Sequence, residues 1–111
     1  MSVRYLEKTL TIADLSDTSA AEQISASLVV GLVIPTEFEG TALNPEMSLD
    51  GITFLPVYDD AGNQVSISGI VNPSFIFLLP QEYAGFDFIR FVSDAAQAAG
   101  DADLVMILRA E

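Results

Sequence analysis

Cysteine, histidine and tryptophan are all absent from this chain. Without cysteine there is no disulfide, no thiolate metal site and no thiol nucleophile. Without histidine the commonest general base and the commonest zinc ligand are missing. The Ser and Thr hydroxyls, Ser16 and Ser19 among them, have no imidazole to activate them, which removes the nucleophile reading. Cations are scarce as well: four Lys and Arg stand against sixteen Asp and Glu, for a net charge of -12. A nucleic-acid ligand needs a basic surface to meet its phosphates, so no direct nucleic-acid binding is expected. An anionic membrane surface would also repel the chain. Such a charge keeps a protein soluble; it also suits an outward-facing component held away from DNA, or a protein of a saline environment. Long hydrophobic runs are missing too. The longest, residues 28–34, falls far below the roughly 20 residues of a membrane span. No apolar h-region follows Met1-Ser2-Val3-Arg4-Tyr5, so no cleaved signal peptide is expected.

Half of the 111 residues are nevertheless hydrophobic, enough for one domain with its own core. They fall in short runs separated by turn chemistry, the pattern of strands. Residues 3–12 alternate, with Leu6, Lys8, Leu10 and Ile12 on one side. Lys8 interrupts that side, which predicts an edge strand or one that reaches to another subunit. Residues 13–23 are polar and small; Ser19-Ala20-Ala21-Glu22 fits a capping box, so one helical turn or a loop is expected. Residues 24–34 carry β-branched groups, Gly31 and a closing Pro35, which predict a buried strand with a bulge at Gly31. Residues 41–49 include Pro45, which cannot donate to a ladder, so this strand is expected at an edge or locally bulged. Asp50-Gly51 predicts a tight hairpin turn, residues 52–58 its partner strand and residues 59–63 a second turn. Residues 64–70 alternate, with Val65 and Ile67 inward. Residues 75–79 read as a short apolar strand ended by Pro80. Residues 86–92 and 103–109 carry apolar groups on both sides. About eight strands result. The expected fold class is all-β: a single antiparallel β-sandwich of jelly-roll type. Residues 1–23 are expected to form an N-terminal strand, or arm, and a loop, and residues 24–111 the sandwich, the arm and the sandwich being one domain.

Few constellations carry chemistry. Asp59, Asp60 and Asn63 offer oxygen ligands for Ca²⁺, yet the segment has no EF-hand spacing, and Asp, Asn and Gly also dominate plain turns. Acids are abundant, but nothing singles out a pair placed for glycoside hydrolysis. Tyr58, Tyr83 and Phe86 are aromatic candidates for a sugar platform. Phe86 is expected in the core, and Tyr83, between Pro80 and Gly85, is expected to be exposed. Arg90 and Phe91 are interface candidates: Arg90 lies in an apolar strand, paired with an acid or anchoring a neighbouring subunit. No catalytic residue and no cofactor is implied.

Several segments together resemble a known group of proteins. Gly31-Leu32-Val33-Ile34-Pro35, Thr41-Ala42-Leu43, Ser48-Leu49-Asp50-Gly51-Ile52-Thr53-Phe54, Asp59-Asp60-Ala61-Gly62-Asn63, Phe88-Ile89-Arg90-Phe91-Val92-Ser93 and Leu104-Val105-Met106-Ile107-Leu108 follow one another in order. The combination, over roughly three quarters of the chain, resembles small β-sandwich structural proteins of tailed-phage virions. The Ser-x-Asp-Gly-x-x-aromatic element also occurs in discoidin-like and carbohydrate-binding sandwiches. Pro45 and Glu46 depart from the pattern, which has an aromatic or apolar residue in that strand. The resemblance implies a non-enzymatic virion component: a capsid-decorating or cement protein on the outer surface, or a tail- or fibre-associated one. It implies other virion proteins as partners, the major capsid protein or tail proteins, and a homo-oligomer, with a trimer implied by shell-decorating proteins. A carbohydrate-binding module for host recognition is the competing reading, with an acidic hydrolase as a third. The apolar surplus of residues 86–92 and 104–108 independently predicts association.

Overall fold

The structure, a computed structural model, describes residues 4–24, 27–78 and 87–110. Alternation decides its strands. In Ala102–Ala110 the side chains of Ala102, Leu104, Met106 and Leu108 are buried, while those of Asp103, Val105, Ile107 and Arg109 point to the other face. Successive strand residues point to opposite faces, so one such run supplies one row of core.

Among the described residues eight strands form: β1 Arg4–Ile12, β2 Glu22–Gln23, β3 Leu28–Ile34, β4 Leu43–Ser48, β5 Leu55–Pro56, β6 Ser74–Phe77, β7 Phe88–Ser93 and β8 Ala102–Ala110. No helix occurs among the described residues. The strands make two four-stranded sheets, β1-β8-β3-β6 and β2-β7-β4-β5. Every pairing is antiparallel, and β1 pairs with β8, β2 with β7, β3 with β6 and β4 with β5. The chain is thus a long hairpin with its tip between β4 and β5, rolled so that β8 also meets β3 and β7 meets β4. That connectivity is the jelly roll.

The core lies between the sheets. Leu10, Ile12, Leu32, Ile34, Leu104 and Met106 come from one sheet and Leu43, Ile89 and Phe91 from the other. Burying each such side chain contributes about 1.5–3 kcal/mol, which is how a domain without disulfides holds its form. Val65, Ile67 and Ile70 close one side of the core. Their alternation matches expectation, with Gln64, Ser66 and Ser68 exposed. The segment is held by isolated bridges, Leu43 to Ile67 and Tyr58 to Gln64, rather than as a continuous strand.

Three local expectations need correction. The capping-box segment at residues 19–22 forms bridges and the short β2 instead of a helical turn; its neighbours in β1 and β7 offer ladder partners. β1 is an edge strand, as Lys8 suggested, and pairs with β8 over nine residues, from Arg4 with Ala110 to Ile12 with Ala102. Pro45 lies in an interior strand, between β7 and β5. Its missing N–H is tolerated because Leu43 pairs with Ile67 and Met47 with Leu55, so Pro45 falls in the gap between those two partners. Asp50-Gly51 does not make a two-residue hairpin, since Met47 pairs with Leu55 and residues 49–54 form a wider loop.

At Gly31 a side chain of a neighbouring strand fills the space that a Cβ would take. A Cβ on Gly31 would stand 2.7 Å from Cζ of Phe75, so the ring of β6 occupies the place of a β3 side chain. The bulge in β3 falls beside it, between Val29 and Gly31.

Candidate interaction surfaces

The outer face of the β1-β8-β3-β6 sheet is apolar where β8, β3 and β6 meet and mostly polar along β1. Its rows follow from the register: Tyr5 lies beside Arg109, Glu7 beside Ile107, Thr9 beside Val105 and Thr11 beside Asp103. Ile107 and Val105 then neighbour Gly31 and Val33, which neighbour Phe77 and Phe75. Phe77 is 86% exposed and Phe75 is also exposed. Their rings meet edge-on, with centroids 5.3 Å apart. A groove of about 390 Å³ runs between Tyr5, Val30, Phe75, Phe77, Ile107 and Arg109. Scattered exposed apolar residues need no explanation, but a contiguous apolar patch such as this one marks an interaction site.

A second apolar surface sits at the tip of the rolled hairpin. Leu49, Ile52 and Leu55 are exposed there, Ile52 by 85%, beside a hollow of about 290 Å³ lined by Met47, Ser48, Leu49, Asp50, Thr53 and Leu55. The loop is built around Asp50. Its Oδ1 accepts the N–H groups of Ile52 and Thr53, both at 2.9 Å, and the Ser48 hydroxyl at 2.9 Å. The backbone bonds from Thr53 and Ile52, then the Ser48 hydroxyl, favour the carboxylate and lower the Asp50 pKa from 3.8 to about 2. Gly51 has φ 79° and lies against the Phe88 ring, a conformation that side chains other than glycine rarely adopt. The loop therefore holds its apolar residues outward by polar bonds beneath them.

The opposite end is a web of loops. β4 starts at that end, where Asp94 accepts the Thr41 hydroxyl at 2.6 Å and the N–H groups of Thr41 and Ala42. These bonds, the Thr41 hydroxyl first, lower the Asp94 pKa. Gln97, 1% exposed, binds the loops together. Its Oε1 accepts the Glu39 N–H at 2.9 Å, and its Nε2 donates to the Glu37 carbonyl at 2.8 Å. Glu39 Oε2 in return accepts the N–H groups of Ala98 and Ala99. Gln97 carried no signal in the sequence, because its partners are nearly sixty residues away.

The expected site residues fare differently. Phe91 is fully buried in the core, so it is not available to a partner; it shares the inward row with Ile89, whereas Arg90 points outward. Arg90 donates to Glu46 through Nε at 2.8 Å and Nη2 at 2.7 Å, and its guanidinium lies 4.4 Å from the Phe54 ring centroid. It is thus engaged within its own sheet. Asp59 Oδ1 accepts the N–H groups of Ala61 and Asn63, both at 2.9 Å, the bonding of a self-capped turn. Among the described residues no three His, Cys, Asp or Glu side chains gather as a metal site. Tyr58 is 58% exposed next to that turn. Tyr83 and Phe86 lie outside the described residues. No described helix is long and apolar enough to cross a membrane.

No protein-family model matches the chain, and no curated protein is significantly similar to it.

Proposed function

We propose that the chain is a non-enzymatic structural protein of a tailed-phage virion, a decoration or cement protein on the outer surface of the capsid. A tail- or fibre-associated position is the other place for the same kind of component. The observation that carries the reading is the pair of exposed apolar surfaces, a sheet face and a loop tip, on one acidic jelly roll. A protein with two such surfaces is suited to two protein contacts at once, which is what a shell component makes. The sequence resemblance supplies the virion context, and the charge of -12 suits a position away from packaged DNA. On this reading the loop tip, with Leu49, Ile52 and Leu55 outward, meets the shell.

The test uses heads of the particle stripped of this chain. The wild-type protein rebinds them, and Ile52→Asp weakens binding at least about tenfold, the loss expected when one buried Ile contact is removed. Equal binding by both proteins contradicts the assignment of the tip. Saccharide binding on a glycan array that Tyr58→Ala abolishes would instead favour the carbohydrate-binding reading.

A further inference from the structure

We propose that the outer face of the β1-β8-β3-β6 sheet binds a second copy of this chain, face to face, about a twofold axis that crosses the strands near Met106. The inference rests on the assembly reading above and names the partner of one of its two surfaces.

Residues along the face are ordered so that the face complements itself. The outward row of β8 reads Asp103, Val105, Ile107, Arg109, an acid at one end and a cation at the other with two apolar residues between. A twofold axis lying in the interface and perpendicular to the strands turns this row end for end. Each Asp103 then faces the partner's Arg109, and each Val105 faces the partner's Ile107. The same operation suits the other rows, because the registers agree. Phe77 stands level with Ile107 and Phe75 level with Val105, so each Phe75 meets the partner's Phe77. Glu7 stands level with Ile107 and Thr9 with Val105, so each Glu7 meets the partner's Thr9 and no two acids coincide. An axis parallel to the strands would lay β8 on the partner's β3 and set Arg109 against the partner's Leu28. The charge order selects the first arrangement.

The area also fits. Strands of up to nine residues, at about 3.3 Å per residue and about 4.8 Å between strands, cover roughly 500 Å² in projection. Side chains standing on that plane raise its accessible area toward the about 800 Å² that each partner brings to a standard interface. An isologous pair of this kind closes at two copies, in contrast to the trimer that the sequence resemblance implies.

The experiment is sedimentation equilibrium of the whole chain and of two charge variants. The wild-type chain is expected to dimerise reversibly. Asp103→Arg sets Arg against Arg109 of the partner subunit, and Arg109→Asp sets two acids together, so each variant alone should lose at least about tenfold in self-affinity. An equimolar mixture of the two should regain the dimer, because opposite charges then meet at both ends. That recovery also shows both variants to be folded. A wild-type chain that stays monomeric at millimolar concentration, or forms trimers, overturns the proposal. So do variants that self-associate like the wild type, or a mixture no tighter than its components. Head binding is measured on the same samples. A monomeric chain that still binds heads removes the face-to-face pair and leaves the virion reading. A dimer that binds no head supports the pair and removes the decoration reading.

Discussion

Gln97 and Phe91 are single residues whose roles depend on where the chain brings them. Gln97 lies in an Ala-rich loop, where a glutamine looks interchangeable with any polar residue. Folded, its amide joins the loop before β4 to the loop before β8. Gln97→Leu keeps approximate volume but leaves the Glu39 N–H and Glu37 carbonyl without these partners. The expected loss is about 2–3 kcal/mol, the cost of unsatisfied buried groups. Urea denaturation measures it as a lower midpoint at unchanged slope; an unchanged midpoint would show that the amide is dispensable. Phe91 and Arg90 are adjacent and meet opposite environments because a strand alternates. Their faces were legible as two sets, but which set faced the core depends on the position of the other sheet, and that is a long-range fact.

At the scale of elements, periodicity was the reliable signal. β1 alternates apart from Lys8, β8 is apolar on both faces between Asp103 and Arg109, and both form as nine-residue strands. Residues 64–70 keep their inward and outward sets even though only bridges hold them. β6 was harder to read, because Phe75, Ile76 and Phe77 are apolar on both faces. Such a run has no period to say that both Phe side chains are exposed, and these two rings line the groove of the interaction face. The β4–β5 loop differs from the expected hairpin turn because Asp50 uses its side chain to bind the N–H groups of Ile52 and Thr53. Since its folded pKa is lowered from 3.8 to about 2, the loop's stabilisation is complete above the ordinary carboxylate range. It is lost as pH falls through about 2. Amide exchange should show the Ile52 and Thr53 N–H groups protected at neutral pH and released in that acid window, and Asp50→Asn should weaken their protection at neutral pH. A carboxyl that titrates near its ordinary value, with protection indifferent to the substitution, would contradict this account of the loop.

The whole molecule has its core between two sheets, a loop web at one end, an apolar tip at the other and an apolar face on one side. Its radius of gyration of 13.4 Å is close to the about 13 Å of a compact domain near this length, so β1 belongs to the body of the sandwich. The jelly-roll class was legible from turns and alternation, but its strand order was not, because each pairing joins segments distant in sequence. The interaction surfaces were foreshadowed only as an apolar surplus, with Val105 and Ile107 among the residues responsible. The central claim is that this acidic jelly roll is a fixed component of a virion shell. Quantitative mass spectrometry of purified particles from the source of the gene tests it most directly. The account predicts the chain in intact virions at a constant ratio to the major capsid protein across preparations. A chain abundant in the lysate and absent from the purified particles would contradict it.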